Sequence, residues 1–274
     1  MSDLTVRSPS FPVADWDLPP RWLGGDAFRT QTFNALSMSF PVGERYFIDS
    51  VRAALPLAGA PGLAEDVRRF IAQESRHSHL HREFNVKLAA QGLPNLIEPI
   101  CAWRIRTIAG LNVRHKLAIA AAYEHFTAAL GDAVLAGRPW LEGAAEPVRA
   151  LWMWHAAEEC EHRAVVFDVY RHLGGGEMRR LAWFLYISLI FAVDLTLQVM
   201  ANLWRSGAFL SLSTWRRGWR FLFGRGGVAG WMLPVWLAYL RPGFNPRDRG
   251  ERAAAERWFA ANRHWFSPGA ASEP

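Results

Sequence analysis

Apolar residues recur at three- and four-residue spacing along most of this chain, and the phase of that spacing marks out a series of helices. In the first, residues 28–54, the turn after Pro41 sets Glu44, Phe47, Ile48 and Val51 along one side. A break is expected near Pro41, because proline removes a backbone donor. A second helix covers 63–90, with Gly62 before it and Gly92 and Pro94 stopping it; Val67, Phe70, Ile71, Glu74, His77, His81, Phe84 and Leu88 follow its spacing. A third, 113–135, ends at Gly137 and turns Leu117, Ala120, Ala121, Glu124, Ala128 and Leu135 to one face. A fourth, 146–173, stops at Gly174-Gly175-Gly176. No stretch alternates as a convincing strand does, so the fold expected is all-α, a four-helix bundle.

The character changes after those glycines. Residues 181–204 are strongly apolar, interrupted by Asp194, Gln198 and Asn202. An aromatic and basic segment follows at 215–225, then an apolar piece at 228–240 and an amphipathic helix near 249–265. The organisation read from this is an extended, proline-rich lead-in (1–25), a helical bundle (26–176) and a C-terminal helical, apolar and aromatic appendage (177–274). The appendage packs on the bundle or on a membrane surface. The 181–204 stretch is long enough to span a bilayer, but an acid at its centre costs about 3 kcal/mol there, which favours a fully buried fifth helix. The tryptophans and arginines of 204–225 keep an in-plane membrane contact open as the alternative.

Composition narrows the picture. The chain of 274 residues is 51% hydrophobic, enough for a sizeable core, and carries a net charge of +6. The arginines concentrate in the last hundred residues without a nucleic-acid motif, so no nucleic-acid partner is expected. Cys101 and Cys160 alone argue against a disulfide scaffold and fit a reducing compartment. Residues 1–20 hold acids and prolines and no apolar run, so the expected location is cytoplasmic, with membrane association through the C-terminal region as the alternative.

The candidate chemistry lies in Glu74-Ser-Arg-His77 and Glu159-Cys-Glu-His162, two Glu-x-x-His segments on separate helices. Residues three apart on a helix are about 60° apart in rotation and can grip one ion. Single glutamates, Glu44 and Glu124, precede each motif on the other two helices. Glu, Glu-x-x-His, Glu, Glu-x-x-His is the ligand order of a ferritin-like bundle holding two metal ions. Its neighbours Phe70, Ile71, Ala120, Ala121, Trp152, Ala156, Val165 and Val166 are core-like, so the ionisable face is also the apolar face. Four carboxylates offset two divalent ions. Carboxylate and imidazole donors suit iron best, with manganese or zinc as alternatives. His155, four before Glu159, joins the same stripe as a seventh ligand. His81 and Glu158 are read as residues supporting the ligands, although Glu158 could replace Glu159 if the helix rotated. His79, His125 and Glu161 point away, and Asp168 lies a turn or two beyond.

With His155 included, Glu44, Glu74, His77, Glu124, His155, Glu159 and His162 resemble the ligand pattern of the ferritin-like di-iron arylamine N-oxygenases over residues 40–170. The chain also resembles, more closely and extensively, a bacterial family of predicted metal-dependent hydrolases. That likeness is carried by Phe40-Pro41-Val42-Gly43-Glu44-Arg45-Tyr46-Phe47, by residues 74–81 and by residues 155–162. The resemblances imply a dinuclear metalloenzyme. O2-dependent oxidation of an apolar or aromatic small molecule is the first reading, hydrolysis by a metal-bridged water the second, and metal binding without catalysis the third. An oxygenase would need an electron donor, which the sequence does not identify. A homodimer is a further arrangement left open.

Overall fold

Ten α-helices, and no strand among the described residues, are found in the computed structural model, which describes residues 4–266. The first three residues of the lead-in and the last eight of the appendage lie outside the described residues. The chain is an all-α bundle. Its helices are α1 (Ala27–Ala58), α2 (Pro61–Ala90), α3 (Ile97–Thr107), α4 (Val113–Leu135), α5 (Glu146–His162), α6 (Val165–His172), α7 (Glu177–Arg205), α8 (Leu212–Phe223), α9 (Val228–Tyr239) and α10 (Arg252–Ala261). α1 and α2 pack side by side, as do α4 and α5, and α6 closes against α4, α1 and α2.

Helix α1 does not break at Pro41, contrary to the sequence expectation. Proline there deprives the carbonyl of Ser37, four residues back, of its helical donor. Asn85 Nδ2 on α2 donates to that carbonyl at 2.9 Å, so the backbone group is satisfied and the helix continues. Two further corrections concern the helices themselves. The stretch 146–173 is not one helix but two, interrupted at Arg163 and Ala164, where the Arg163 guanidinium is tied to α4 through Asp132 (2.7 Å) and the Ala128 carbonyl (3.3 Å). The additional helix α3 lies between Pro94 and Asn112, and Gln198 of α7 explains it: its Oε1 accepts from the Leu96 and Ile97 amides (2.7 and 3.2 Å), capping the free N–H groups at the helix start.

Helix α7 lies along α1 and α4. The polar residues that interrupt its apolar run face inward: Asp194 pairs with Arg104 of α3, and Gln198 Nε2 donates to the Pro94 carbonyl and to Asn202. The expected fully buried helix is therefore only half so. Phe184, Ile187 and Leu203 are buried, whereas Leu185, Leu189, Val193 and Leu197 are exposed. By length and composition α7 could cross a membrane, but its inner face is occupied by the bundle.

The lead-in is extended apart from one 3-10 turn, and it buries Leu4, Phe11, Val13, Leu18, Trp22 and Leu23 against the helices. Ser10 donates its amide to the Trp265 carbonyl (2.7 Å), so the two ends of the described chain run antiparallel for one pair, Pro9 and Phe266. The core falls into two main apolar groups, one around Phe33, Phe84, Trp152 and Trp154, the other around Phe70, Val166 and Phe184. The ionisable residues sit where these groups meet. His81 packs edge-on to Phe40 and Trp152 (4.7 and 5.1 Å between ring centres), and His162 packs edge-on to Phe70 (4.9 Å).

Candidate metal centre

The structure brings Glu44, Glu74, His77, Glu124, His155, Glu159 and His162 into one buried cluster, none of them more than 4% exposed. Helical spacing does the local work: α2 presents Glu74 and His77 on one turn, and α5 presents His155, Glu159 and His162 on two. Gly131 on α4 brings Glu124 close to α5, since a Cβ there would meet the Ala156 carbonyl oxygen at 3.0 Å. Two sub-clusters could each hold a metal ion, Glu44 with His77 and His155, and Glu74 with Glu159 and His162. Glu124 borders the second, with Oε2 3.6 Å from His162 Nε2.

Each of the three imidazoles is held by one ring nitrogen and turns the other to the cluster. His162 Nδ1 lies 3.1 Å from Gln73 Oε1, which can only accept; the amide orientation follows because Gln73 Nε2 donates to Glu161 and to the Thr5 carbonyl. The lone pair of His162 is thereby placed on Nε2, facing Glu74, Glu124 and Glu159. His77 Nε2 lies 3.1 Å from Glu158, leaving Nδ1 inward, 3.8 Å from both Glu74 and Glu159. For His155 the chain of bonds is longer. Ser37 donates its hydroxyl to Asn85 Oδ1 (2.8 Å), so it accepts from His81 Nδ1 (2.9 Å); His81 Nε2 then accepts from His155 Nδ1 (2.8 Å), and His155 Nε2 faces Glu159 and Glu44. For His155 and His162 a ring N–H is anchored outward and a lone pair turned inward, the arrangement found around metal-bound histidines.

Most of the inward atoms have no hydrogen-bond partner; the exceptions are His155 Nε2 and Glu159 Oε1, 3.1 Å apart, and Glu159 Oε2, which accepts from Thr127. Both carboxylate oxygens of Glu44, Glu74 and Glu124, together with His77 Nδ1 and His162 Nε2, are buried and unpaired, although His162 Nε2 comes within 2.9 Å of Glu74. Buried polar atoms are rarely left so. Burial, and then repulsion from neighbouring carboxylates, raises Glu44 and Glu124 well above the ordinary range, and burial raises Glu74. Burial also opposes the Glu159 and His162 charges, but their mutual attraction, aided by His155 and Glu74, holds Glu159 well below and His162 well above its usual value. Burial, reinforced by His155, keeps His77 and His81 neutral. Four carboxylates and three imidazoles converging on one space, three of the carboxylates and two of the imidazoles with unpaired donor atoms, fit two divalent cations: these would replace the protons and satisfy the lone pairs together.

The remaining sequence candidates fall around this cluster. Glu158 stays behind His77, on the side away from the other carboxylates, and burial pushes it up to about 8. His81 bonds to His155 instead of facing the cluster. His79 is exposed beside Glu83, and His125 packs against Tyr239 with its Nε2 on the Val235 carbonyl. Asp168 holds Arg247. Glu161 points away as expected but is one bond removed, receiving both Gln73 and a paired contact from Arg7 (2.7 and 2.8 Å). Gln73, Ser37, Asn85, Arg7 and Thr127, whose Oγ1 is 2.5 Å from Glu159, were not singled out from the sequence. Gln73 alone left a signal there, as a polar residue one turn before His77 on the same apolar stripe.

Two largely apolar cavities reach the cluster from opposite sides of Phe191 and Leu195. One, of about 170 Å³, has Glu44 in its wall and runs out between α3 and α7. The other, of about 340 Å³, touches His155 and Glu159 and is closed by α8 and α9. Every serine and threonine hydroxyl lining them already donates within the protein, as do Ser39 to the Leu36 carbonyl and Ser188 to that of Phe184.

A family model described as a predicted metal-dependent hydrolase matches residues 5–250 of this chain. Nothing among curated proteins matches it, and neither does any solved structure.

Proposed function

This chain belongs to the family described as predicted metal-dependent hydrolases, and on that premise we propose that it is a dinuclear metalloenzyme that oxidises an apolar small molecule with O2. Glu44, His77 and His155 would hold one ion and Glu74, Glu159 and His162 the other, with Glu124 completing the second. The observation that carries the metal reading is the set of unpaired carboxylate and imidazole atoms turned inward at 0–4% exposure. Hard oxygen and imidazole donors favour iron, with manganese or zinc also accommodated. Iron at this position would supply the reduction of O2 and the oxidising equivalents, and a separate electron donor is required.

The protein's own contribution is positional. The bonds to Gln73, Glu158 and His81 fix each imidazole before any ion arrives. Phe40, Trp152 and Trp154 exclude water from behind the histidines. The cavity walls bind the substrate by apolar contact. The lining serine and threonine hydroxyls already donate within the protein, which leaves the walls mainly apolar and suits an apolar substrate. Hydrolysis remains the second reading because the family's description names it, and there the metals would activate water and bind the developing oxyanion.

The test is metal analysis of the purified protein, followed by anaerobic reduction and rapid mixing with O2 under an optical probe. Two irons per chain, a transient visible band and stoichiometric O2 uptake are expected. A zinc protein inert to O2 that cleaves apolar aryl esters equally well under argon would replace this reading with the second. Removal of all metal without effect on either activity would defeat both.

A further inference from the structure

Helix α7 buries polar residues on its inner side and leaves a row of leucines and a valine on its outer one. Asp194, Gln198 and Asn202, one turn apart, are buried toward α3 and α1, while Leu185, Leu189, Val193 and Leu197, also one turn apart, face outward, with Leu189 64% and Leu197 55% exposed. Neighbouring helices continue the pattern. Leu233 and Leu237 on α9, which is joined to α7 by Trp236 Nε1 on Ser188 Oγ (2.9 Å), are exposed, as are Trp219 and Phe223 on α8. All but four of the large apolar side chains exposed among the described residues lie between Met178 and Leu237. Soluble monomers seldom display so continuous an apolar surface.

The charge on this region selects its occupant. Between Met178 and Gly227 the chain carries seven arginines, of which Arg180 is buried on Glu177, and one acid, Asp194, which is consumed by Arg104. Three of the arginines, Arg216, Arg217 and Arg220, share the amphipathic helix α8 with Trp219 and Phe223. A two-fold contact with a second copy would bring like charges together. An apolar face edged by arginine and tryptophan instead matches a bilayer with anionic headgroups. Because α7 is packed along its length on α1 and α4, it can lie only in the plane of such a bilayer.

We propose that the outer face of α7, α8 and α9 docks in the plane of an anionic lipid membrane, with the cavity mouth between α3 and α7 opening into the lipid. The lip of that mouth is apolar: Trp103 on α3 and Tyr186 on α7 are 58% and 47% exposed, and the same cavity ends at Glu44. A substrate dissolved in the bilayer would reach the centre without crossing water. That last step rests on the function proposed above; the docking does not.

The experiment is co-sedimentation of the full-length, metal-loaded protein with phosphatidylcholine vesicles, with and without roughly a third phosphatidylglycerol. Binding to the mixed vesicles is expected, weakened by salt. Leu189→Asp with Leu197→Asp should lower partitioning about tenfold or more, by loss of apolar burial. Arg216→Gln, Arg217→Gln and Arg220→Gln together should lower it by up to about a hundredfold on anionic vesicles and little on neutral ones. Both variants should keep the parent's metal content and melting temperature. Nitroxide-labelled lipid should quench the wild type more than Trp103→Phe. Absence of vesicle binding, binding untouched by both sets of substitutions, or self-association abolished by the same substitutions would overturn the docking. Equal quenching in the two proteins would overturn the placement of the mouth. Loss of O2 reactivity with docking intact would count against the proposed chemistry alone.

Discussion

His81 accepts the His155 Nδ1 proton at 2.8 Å, and that one bond decides which nitrogen of His155 faces the carboxylates. His81→Phe keeps the bulk of the ring and removes the acceptor. Metal affinity is expected to fall 10- to 100-fold at the ion beside Glu44, His77 and His155, with the other ion little changed. Competition with a chromophoric chelator would resolve the two steps. Equal weakening of both would contradict the assignment of His155.

His77→Ala and Glu159→Ala remove a residue from each sub-cluster. Loading should drop below two ions per chain in both variants, read by elemental analysis, while circular dichroism shows the helices retained. Two ions per chain in both variants would remove these residues from the ligand set.

Stability should depend on pH in opposite senses with and without metal. Burial raises Glu158 from 4.5 to about 8, and it raises Glu44 and Glu124 as well. Below the unfolded value both states hold these protons. Between 4.5 and about 8 the unfolded chain releases the Glu158 proton while the native state keeps it, so native stability falls as pH rises. His77 and His81, kept neutral by burial, work the other way below about 6.5, where the unfolded chain takes up their protons, so the metal-free protein should melt highest near pH 6.5 and lose about 2 kcal/mol toward pH 8. Glu158→Gln should flatten the slope. Bound cations favour the ionised carboxylates, so the metal-loaded protein should gain over the same range. Thermal scans with and without chelator check both signs.

Gly131→Val tests the approach of α4 to α5. A side chain there meets backbone, the Ala156 carbonyl at 3.0 Å, which cannot rotate away. Overpacking of this kind costs about 1–3 kcal/mol. A melting temperature lower by roughly 2–10 °C is expected. Metal loading should weaken too, since Glu124 and Glu159 ride on those two helices.

The parts of the centre that sequence could reveal are those encoded within a single helix. Glu74 with His77, and His155 with Glu159 and His162, are fixed by helical period, and the surrounding apolar residues mark the same face as inward. What escaped depends on partners distant in the chain. Pro41 looks like a break until Asn85 supplies the donor missing at Ser37. Helix α3 follows a proline-containing turn and is started by a glutamine one hundred and one residues away from Ile97. Asp194 argued for burial of the whole 181–204 segment, yet a single ion pair with Arg104 accounts for it and leaves the opposite face free. Local periodicity says which residues share a face, but not how far a neighbour covers it.

Arg7 ties the lead-in to both α5 and α10. Its guanidinium grips Glu161, approaches Glu158 to 3.6 Å and lies 3.4 Å above the ring of Phe259 on α10. The scaffold behind His77 and His162 is thus braced by two segments far apart in the chain. Cutting that brace, by Arg7→Ala or by Phe259→Ala, is expected to show up first as poor metal occupancy, before any loss of helix.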